Sequence, residues 1–305
     1  MTPQNIVTVI VTYNRCNLLR QSLTSLAAQT LQPSKLLIVD NASTDGTREM
    51  LATEGWLNRS GVELLALPEN TGGAGGFYHG IKRAYEAAAD WIWVMDDDCI
   101  PQLDALERLL AAIENMPENQ KDNIGFLASR VLWTDGSPCL INLPVPHQLW
   151  LEPHTITSNL ARLSSSSFVS MLISRKAVEA AGLPIKEFFI WFDDSEYSRR
   201  ISEKMHCYLV SDSAVTHATP KNNAALDFTQ LDKNSSWKFA YGIRNQASYH
   251  FEKEGFASGM LFCLKILIRS WRHTHSWSLW LIVAMACWKG WNFSYTNFIE
   301  RVDPK

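Results

Sequence analysis

From residue 5 to about 131 the chain alternates short β-branched runs with amphipathic stretches of helical period, and few architectures accept that order. A strand that feeds a helix returns beside a parallel neighbour, so the repeated pattern predicts an α/β fold with a mostly parallel central sheet flanked by helices. The runs at 6–12, 35–40, 62–67, 91–95 and 124–131 read as strands, with helical patterns at about 16–28, 44–53, 75–89 and 102–115. The last of these follows Pro101, a residue favoured near helix starts.

The pattern then loosens. Residues 132–167 carry Pro, Ser, His and Trp with little periodicity and are expected to form a long loop or irregular strands over one sheet edge. SFVSMLISRKAVEAAG reads as a strand entering a helix closed by Gly182, and FFIWFDDSEYSRRISEKMHC as a second helix opened by acidic residues. A strand at 207–210 leads to Val215 and His217, and helices rich in Trp and basic residues follow residue 235. The expected organisation is a domain over 1–250 and a C-terminal helical appendage over 251–305.

Composition narrows the function classes. With 46% hydrophobic and 19% charged residues the chain is neither disordered nor fibrous, and a net charge of -3 argues against a general nucleic-acid binder. Six cysteines without a C-x-x-C pair imply neither a disulfide framework nor a zinc knuckle, so a reducing, cytoplasmic compartment is expected. MTPQNIVTVIVTYN has no basic segment before its apolar run and no small-residue cleavage site, so export is not expected. The longest strongly apolar run, 277–288, falls short of the ~20 residues that span a bilayer.

In an open parallel α/β sheet, ligands bind beyond the carboxyl ends of the strands. The unusual polar residues collect there: Thr12, Tyr13 and Asn14 after the first strand, Asp40 after the second, Asn70 to Gly76 after the third, and Asp96, Asp97 and Asp98 after the fourth. Three like charges after the apolar WIWVM are costly, and alternate residues of an extended chain share a face. Asp96 and Asp98 are therefore expected to converge on one divalent cation, Mg²⁺ or Mn²⁺ from the oxygen ligands. A helix cap is the competing reading, but one Asp suffices for a cap.

The run ENTGGAGGFYHG places Gly72, Gly73, Gly75 and Gly76 between a strand and a helix, either to let a ligand approach the backbone or as a flexible turn. It is not a dinucleotide fingerprint, which would follow the first strand. Asp193 and Asp194 sit after FFIWF, where apolar surroundings can raise a carboxyl toward a useful general base, or where a helix dipole is merely satisfied. His217 ends a β-branched run; beside two carboxylates it would tilt the choice of metal slightly toward Mn²⁺. Arg244 in YGIRN is suited to a diphosphate, or is a surface helix charge.

The order VTVIVTYNR, LLIVDNASTDGT, PENTGGAGGF, VMDDD, DDSEY, a late His and YGIRN resembles the family 2 glycosyltransferases of GT-A fold over roughly residues 5–250. PENTGGAGGFYHG, MDDD and FIWFDDSEY are most similar to the galactofuranosyltransferase and rhamnosyltransferase branch. The resemblance implies a nucleotide-diphosphate sugar donor, a glycan acceptor, a divalent metal and transfer with inversion. It implies Asp96, Asp98 and His217 as metal ligands, Asp194 as base with Asp193 its nearest competitor, and Thr12, Asp40 and Asn70 in the nucleotide pocket. Tyr13, Asn14, Gly72, Gly73, Gly75, Gly76, Asp97 and Arg244 complete the expected donor site. The implied reaction moves galactofuranose from a UDP-sugar onto a cell-envelope glycan; its rivals are rhamnose from a dTDP-sugar and a non-catalytic scaffold of a polysaccharide synthesis complex.

In the C-terminal segment, Trp271, Trp277, Trp280, Trp288 and Trp291 interleave with Lys265, Arg269, Arg272 and Lys289. That mixture suits peripheral contact with the cytoplasmic face of a membrane bearing a lipid-linked acceptor, or equally a helical hairpin packed on the catalytic domain or forming a dimer.

Overall fold

The computed structural model describes residues 5–150, 159–224 and 226–303. The expected βα alternation forms: β1 (Ile6–Thr12), α1 (Cys16–Ala27), β2 (Lys35–Asp40), α2 (Thr47–Thr53), β3 (Val62–Ala66), α3 (Gly72–Glu86), β4 (Trp91–Asp96) and, after a turn, β5 (Cys99–Pro101) and α4 (Ala105–Glu114). Then come α5 (Glu118–Lys121), β6 (Ile124–Leu132), β7 (Val145–Pro146), β8 (Leu160–Ser165), β9 (Met171–Ser174), α6 (Arg175–Ala181), α7 (Asp193–Ser202) and β10 (His206–His217). Three long helices follow: α8 (Ser236–Tyr249), α9 (Phe256–Thr274) and α10 (Trp277–Asn292).

The strands lie in the order β3-β2-β1-β4-β9-β6-β10-β8-β7, with β5 paired to β10. The mostly parallel expectation holds from β3 to β4 and needs correction beyond it, where the sheet is mixed. β9 enters from the irregular segment rather than from a helical crossover, so nothing compels it to run parallel. It lies antiparallel to both β4 and β6.

Period-2 alternation splits the core into two layers. Ile10, Ile38, Trp93 and Leu127 face Leu19, Leu23, Leu106 and Leu109 of α1 and α4. Val9, Val39, Val94 and Phe126 face Phe77 and Ile81 of α3, Val178 of α6 and Ile201 of α7. Each such side chain contributes about 1.5–3 kcal/mol of burial free energy, so the sheet holds the strand ends rigidly. α3 lies close on β1, because a Cβ on Gly76 or Gly80 would run into Val11 or Val9.

A third core joins Phe228, Phe239, Ile243 and Ala247 to Cys263, Ile266, Val283 and Ala286. It crosses residue 250, where the catalytic domain was expected to end. Beyond α10 the chain returns to the sheet domain: Leu183 N donates to Glu300 O at 2.9 Å, and Lys82 Nζ pairs with Glu300 Oε1 at 2.7 Å.

Candidate functional site

The ends of β1, β2 and β4 are brought level by register, with Thr12 opposite Asp40 and Val11 opposite Asp96. The loops beyond them are tied together. Thr44 N donates to Asn14 Oδ1 at 2.7 Å, Asn41 Nδ2 to Asn70 Oδ1 at 3.1 Å and to Gly72 O at 2.9 Å, and Gly72 N to Asn70 Oδ1 at 2.9 Å. Asp40 accepts from Ser43 N at 2.9 Å and pairs with Arg48. The loops carrying Thr12, Asn14, Asp40 and Asn70 thus meet beyond the strand ends, with Thr12 and Asp40 buried and the Tyr13 side chain exposed.

Asp96, Asp97 and Asp98 differ in what they meet. Asp97 accepts from Thr12 Oγ1 at 2.8 Å and from Tyr13 N at 3.4 Å. Arg15, which sequence reasoning missed although it directly follows Thr-Tyr-Asn, reaches Asp97 at 3.3 Å and Asp98 at 2.5 Å through one Nη1. His217 arrives through topology: β10 shifts register between Val210 and Ala214, then pairs antiparallel with β5, setting His217 opposite Cys99. Its Nε2 lies 2.9 Å from Asp98 Oδ1, and ligand atoms of Asp96, Asp98 and His217 all fall within 4.8 Å of one another.

This donor set fits a small divalent cation. Burial, then the charge of Asp98, pushes Asp96 up to about 7, so the carboxylates repel one another at close quarters. Burial opposes protonation of His217, but its hydrogen bond to Asp98 prevails and carries it up to about 10. A proton on Nε2 therefore offsets charge that a cation could offset instead. Asn142 Oδ1 accepts from His217 Nδ1 at 2.6 Å and leaves Nε2 as the coordinating nitrogen. Asn142 lies in the irregular segment, where no pattern marked it.

The second acidic pair stands on a different kind of backbone. Phe189 has φ 63 and ψ -57, a positive-φ γ-turn closed by Ile190 N donating to Phe188 O at 2.7 Å. Trp191 and Phe192 also have positive φ. Such residues cost on the order of 1–3 kcal/mol each and persist only where their surroundings hold them. At the first turn of α7, Glu196 pairs with Arg200 at 2.8 Å and is structural, whereas Asp193 is buried and Asp194 partly open.

Burial and then the charge of Asp194 raise Asp193 well above the usual range, and the charge of Asp96 adds to this, so the two acidic corners share one field. Burial raises Asp194 as well; against it stand the Ser195 N–H, donating at 2.6 Å, and the Ser195 hydroxyl. A partly exposed carboxylate with a raised pKa can accept a proton from a hydroxyl.

Two groups of expected residues lie differently. Arg244, expected at a diphosphate, donates to Glu187 O at 2.6 Å and to Asn245 Oδ1 at 2.7 Å, with its guanidinium over Phe293. This arginine is instead taken up by the backbone of the strained turn. The glycine run forms the first turns of α3 rather than a loop. A Cβ on Gly72 would meet Phe189 O, on Gly75 the Thr71 side chain and on Gly76 Val11, while Gly73 alone of the four faces open space. Helix packing explains most of the run.

Residues 8–121 match the family described as Glycosyl transferase family 2. The chain is 30% identical over 211 residues to galactofuranosyltransferase GlfT1 of Mycolicibacterium smegmatis, a match covering 63% of this chain and 64% of the relative. Against the protein of the same name from Mycobacterium tuberculosis it is 31% identical over 206 residues, covering 65% and 64%. The chain thus spans 64% of the length of these curated relatives. Among solved structures, S. aureus TarS superposes with a TM-score of 0.55 at 16% identity, covering 90% of this chain and 44% of that one. GalNAc-T7 with UDP, GalNAc and Mn²⁺ superposes with a TM-score of 0.57 at 15% identity, covering 86% and 55%.

Proposed function

We propose, on the premise that residues 8–121 belong to glycosyl transferase family 2 and that the fold is GT-A, that the protein moves galactofuranose from UDP-galactofuranose to a hydroxyl of a cell-envelope glycan. The observation that carries this reading is the clustering of Asp96, Asp98 and His217 at the strand ends, supported by the Asp193–Asp194 helix start, whose Asp193 feels the charge of Asp96. The galactofuranosyltransferase relatives favour this sugar over rhamnose from a dTDP-sugar. A catalytic corner beside the donor recess favours an enzyme over a scaffold.

In this reading Thr12, Tyr13, Asn14, Asp40, Asn70 and Asp97 line the nucleotide recess, with Gly73 at its edge. Asp96, Asp98 and His217 hold Mn²⁺ or Mg²⁺, which supplies Lewis acidity toward the departing diphosphate. The acceptor hydroxyl must come within about 3 Å of Asp194. Asp194 takes its proton as the acceptor oxygen bonds to the anomeric carbon and the bond from that carbon to the diphosphate breaks. Attack from the opposite face inverts the centre, and uridine diphosphate leaves.

The acceptor is lipid-linked in this reading, and the protein is cytoplasmic with peripheral membrane contact through α9 and α10. No helix among the described residues is long and apolar enough to cross a membrane. Phe256, Met260, Leu264 and Ile268 on α9, with Trp277, Leu281, Met285 and Trp288 on α10, leave apolar side chains exposed at helical spacing. Residues 256–292 contain Lys265, Arg269, Arg272 and Lys289 and no Asp or Glu, a composition suited to anionic headgroups.

Thermal unfolding with uridine or deoxythymidine diphosphate, each with and without Mn²⁺, tests the donor assignment. Ligand at 100 times its dissociation constant stabilises by about 2.7 kcal/mol. A metal-dependent shift with uridine diphosphate alone is expected. A shift confined to deoxythymidine diphosphate replaces the sugar with rhamnose, and no shift with either removes the donor site.

A further inference from the structure

The turn at 187–192 that delivers Asp193 and Asp194 is held from outside itself. Asn245 is fully buried on α8, and its Nδ2, with two hydrogens to give, lies within hydrogen-bond distance of three carbonyls of that turn: Phe188 O at 3.0 Å, Ile190 O at 3.2 Å and Trp191 O at 2.8 Å. Its Oδ1 accepts from Arg244 Nε at 3.0 Å and Nη2 at 2.7 Å. Arg244 continues to Glu187 O at 2.6 Å and Phe188 O at 3.3 Å. Phe188 O thus receives Ile190 N, Asn245 and Arg244 together.

The clasp has a second jaw. Ala74 N of α3 donates to Phe189 O at 3.1 Å, and Gly72 and Gly242 leave room where a Cβ would strike Phe189 O and Trp191. A backbone with positive φ at Phe189, Trp191 and Phe192 relaxes when such bonds are lost, and the residues immediately following it move.

We propose that Asn245, oriented by Arg244, is a positioning residue that holds the 187–192 turn with its positive φ at Phe189, Trp191 and Phe192 and thereby sets the Asp194 carboxylate against the acceptor. This rests on Asp194 being the proton acceptor. Neither Asn245 nor Arg244 need touch substrate.

α8 is itself braced by the C-terminal helices. Gly290 of α10 lies where a Cβ would crowd Arg244 O at 2.7 Å, and Ser248 donates to Phe293 O. The helical segment therefore stands behind the catalytic turn.

The test compares Asn245→Ala, Arg244→Lys and Asp194→Asn by the rate of uridine diphosphate release from UDP-galactofuranose, with water or alkyl galactofuranosides as acceptor. Asn245→Ala is expected to lower kcat about 10- to 100-fold while the KM for donor and the Mn²⁺-dependent stabilisation by uridine diphosphate stay within twofold. Arg244→Lys, which keeps Asn245 and the charge, gives a smaller loss of kcat with the same KM, and stands in if Asn245→Ala does not fold. The acid limb of the kcat pH profile shifts in both, a readout that general loss of stability does not move. Wild-type kcat and pH profile in a folded Asn245→Ala or Arg244→Lys variant, with Asp194→Asn inactive, overturns the positioning role. Full turnover in Asp194→Asn overturns the base assignment instead.

Discussion

The two acidic corners of the site are built by opposite means. Asp96, Asp97 and Asp98 stand at the end of a strand buried from Trp91 to Met95, in ordinary backbone, and their neighbours come from adjacent strand ends through register. Asp193 and Asp194 follow three residues of positive φ, held by side chains of α8 and by the first turn of α3. In the proposed reading the second corner accepts a proton from one hydroxyl, a task that depends on a distance of about 3 Å, and its backbone is fixed from several sides.

The comparison breaks most visibly at Asp194. Asp194→Asn is expected to lower turnover by roughly 10²–10⁴ while leaving stabilisation by uridine diphosphate and Mn²⁺ intact. Loss of that stabilisation would mean that the corners are not separable. Because burial raises Asp194, turnover of the wild type should fall with decreasing pH above the usual carboxylate range, as the carboxylate becomes protonated. A rate flat down to the ordinary Asp range would count against Asp194 as base.

At the other corner, Asn142→Ala frees the His217 ring and should weaken Mn²⁺ binding about 10- to 100-fold, read by titrating the metal against thermal unfolding. Catalysis at saturating metal should change little. An unchanged titration would mean that Asp98 alone orients the ring.

The smallest effect sharpens the electrostatic side. Asp193 is raised in the folded state, so the fold is most stable where this group is protonated and loses that contribution as pH rises through its folded pKa. Asp193→Asn should therefore raise Tm at pH 7 by about 2 °C for each kcal/mol relieved. The gain should shrink as the pH is lowered and the wild-type carboxyl protonates. A gain that grows toward acid pH would reverse this sign.

Legibility in the sequence follows the same division. The βα alternation and the acidic triplet were readable because strand ends are local in sequence, and β1, β2 and β6 fall within a residue of their expected bounds. The antiparallel insertion of β9 was not, since pairing order is a tertiary choice. His217 could be named through family resemblance, but its contact with Asp98 needs the register shift of β10 and its pairing with β5. Arg244 and Gly72 were legible as unusual residues, yet their tasks depend on the turn at Phe189, Trp191 and Phe192, whose positive φ values carry no glycine signature.

The return of the chain at Glu300 alters what the C-terminal helices can do mechanically. One end of that segment is joined to the 187–192 turn through α8, and the other is tied to α3 by Lys82 and Tyr78 and to the residue after the α6 C-cap, Leu183, over a Gly182 that leaves space for Glu300 O. A segment fastened at both ends is a handle rather than a flap. In the proposed reading, a surface that held α9 and α10 would therefore also bear on the turn that carries Asp194.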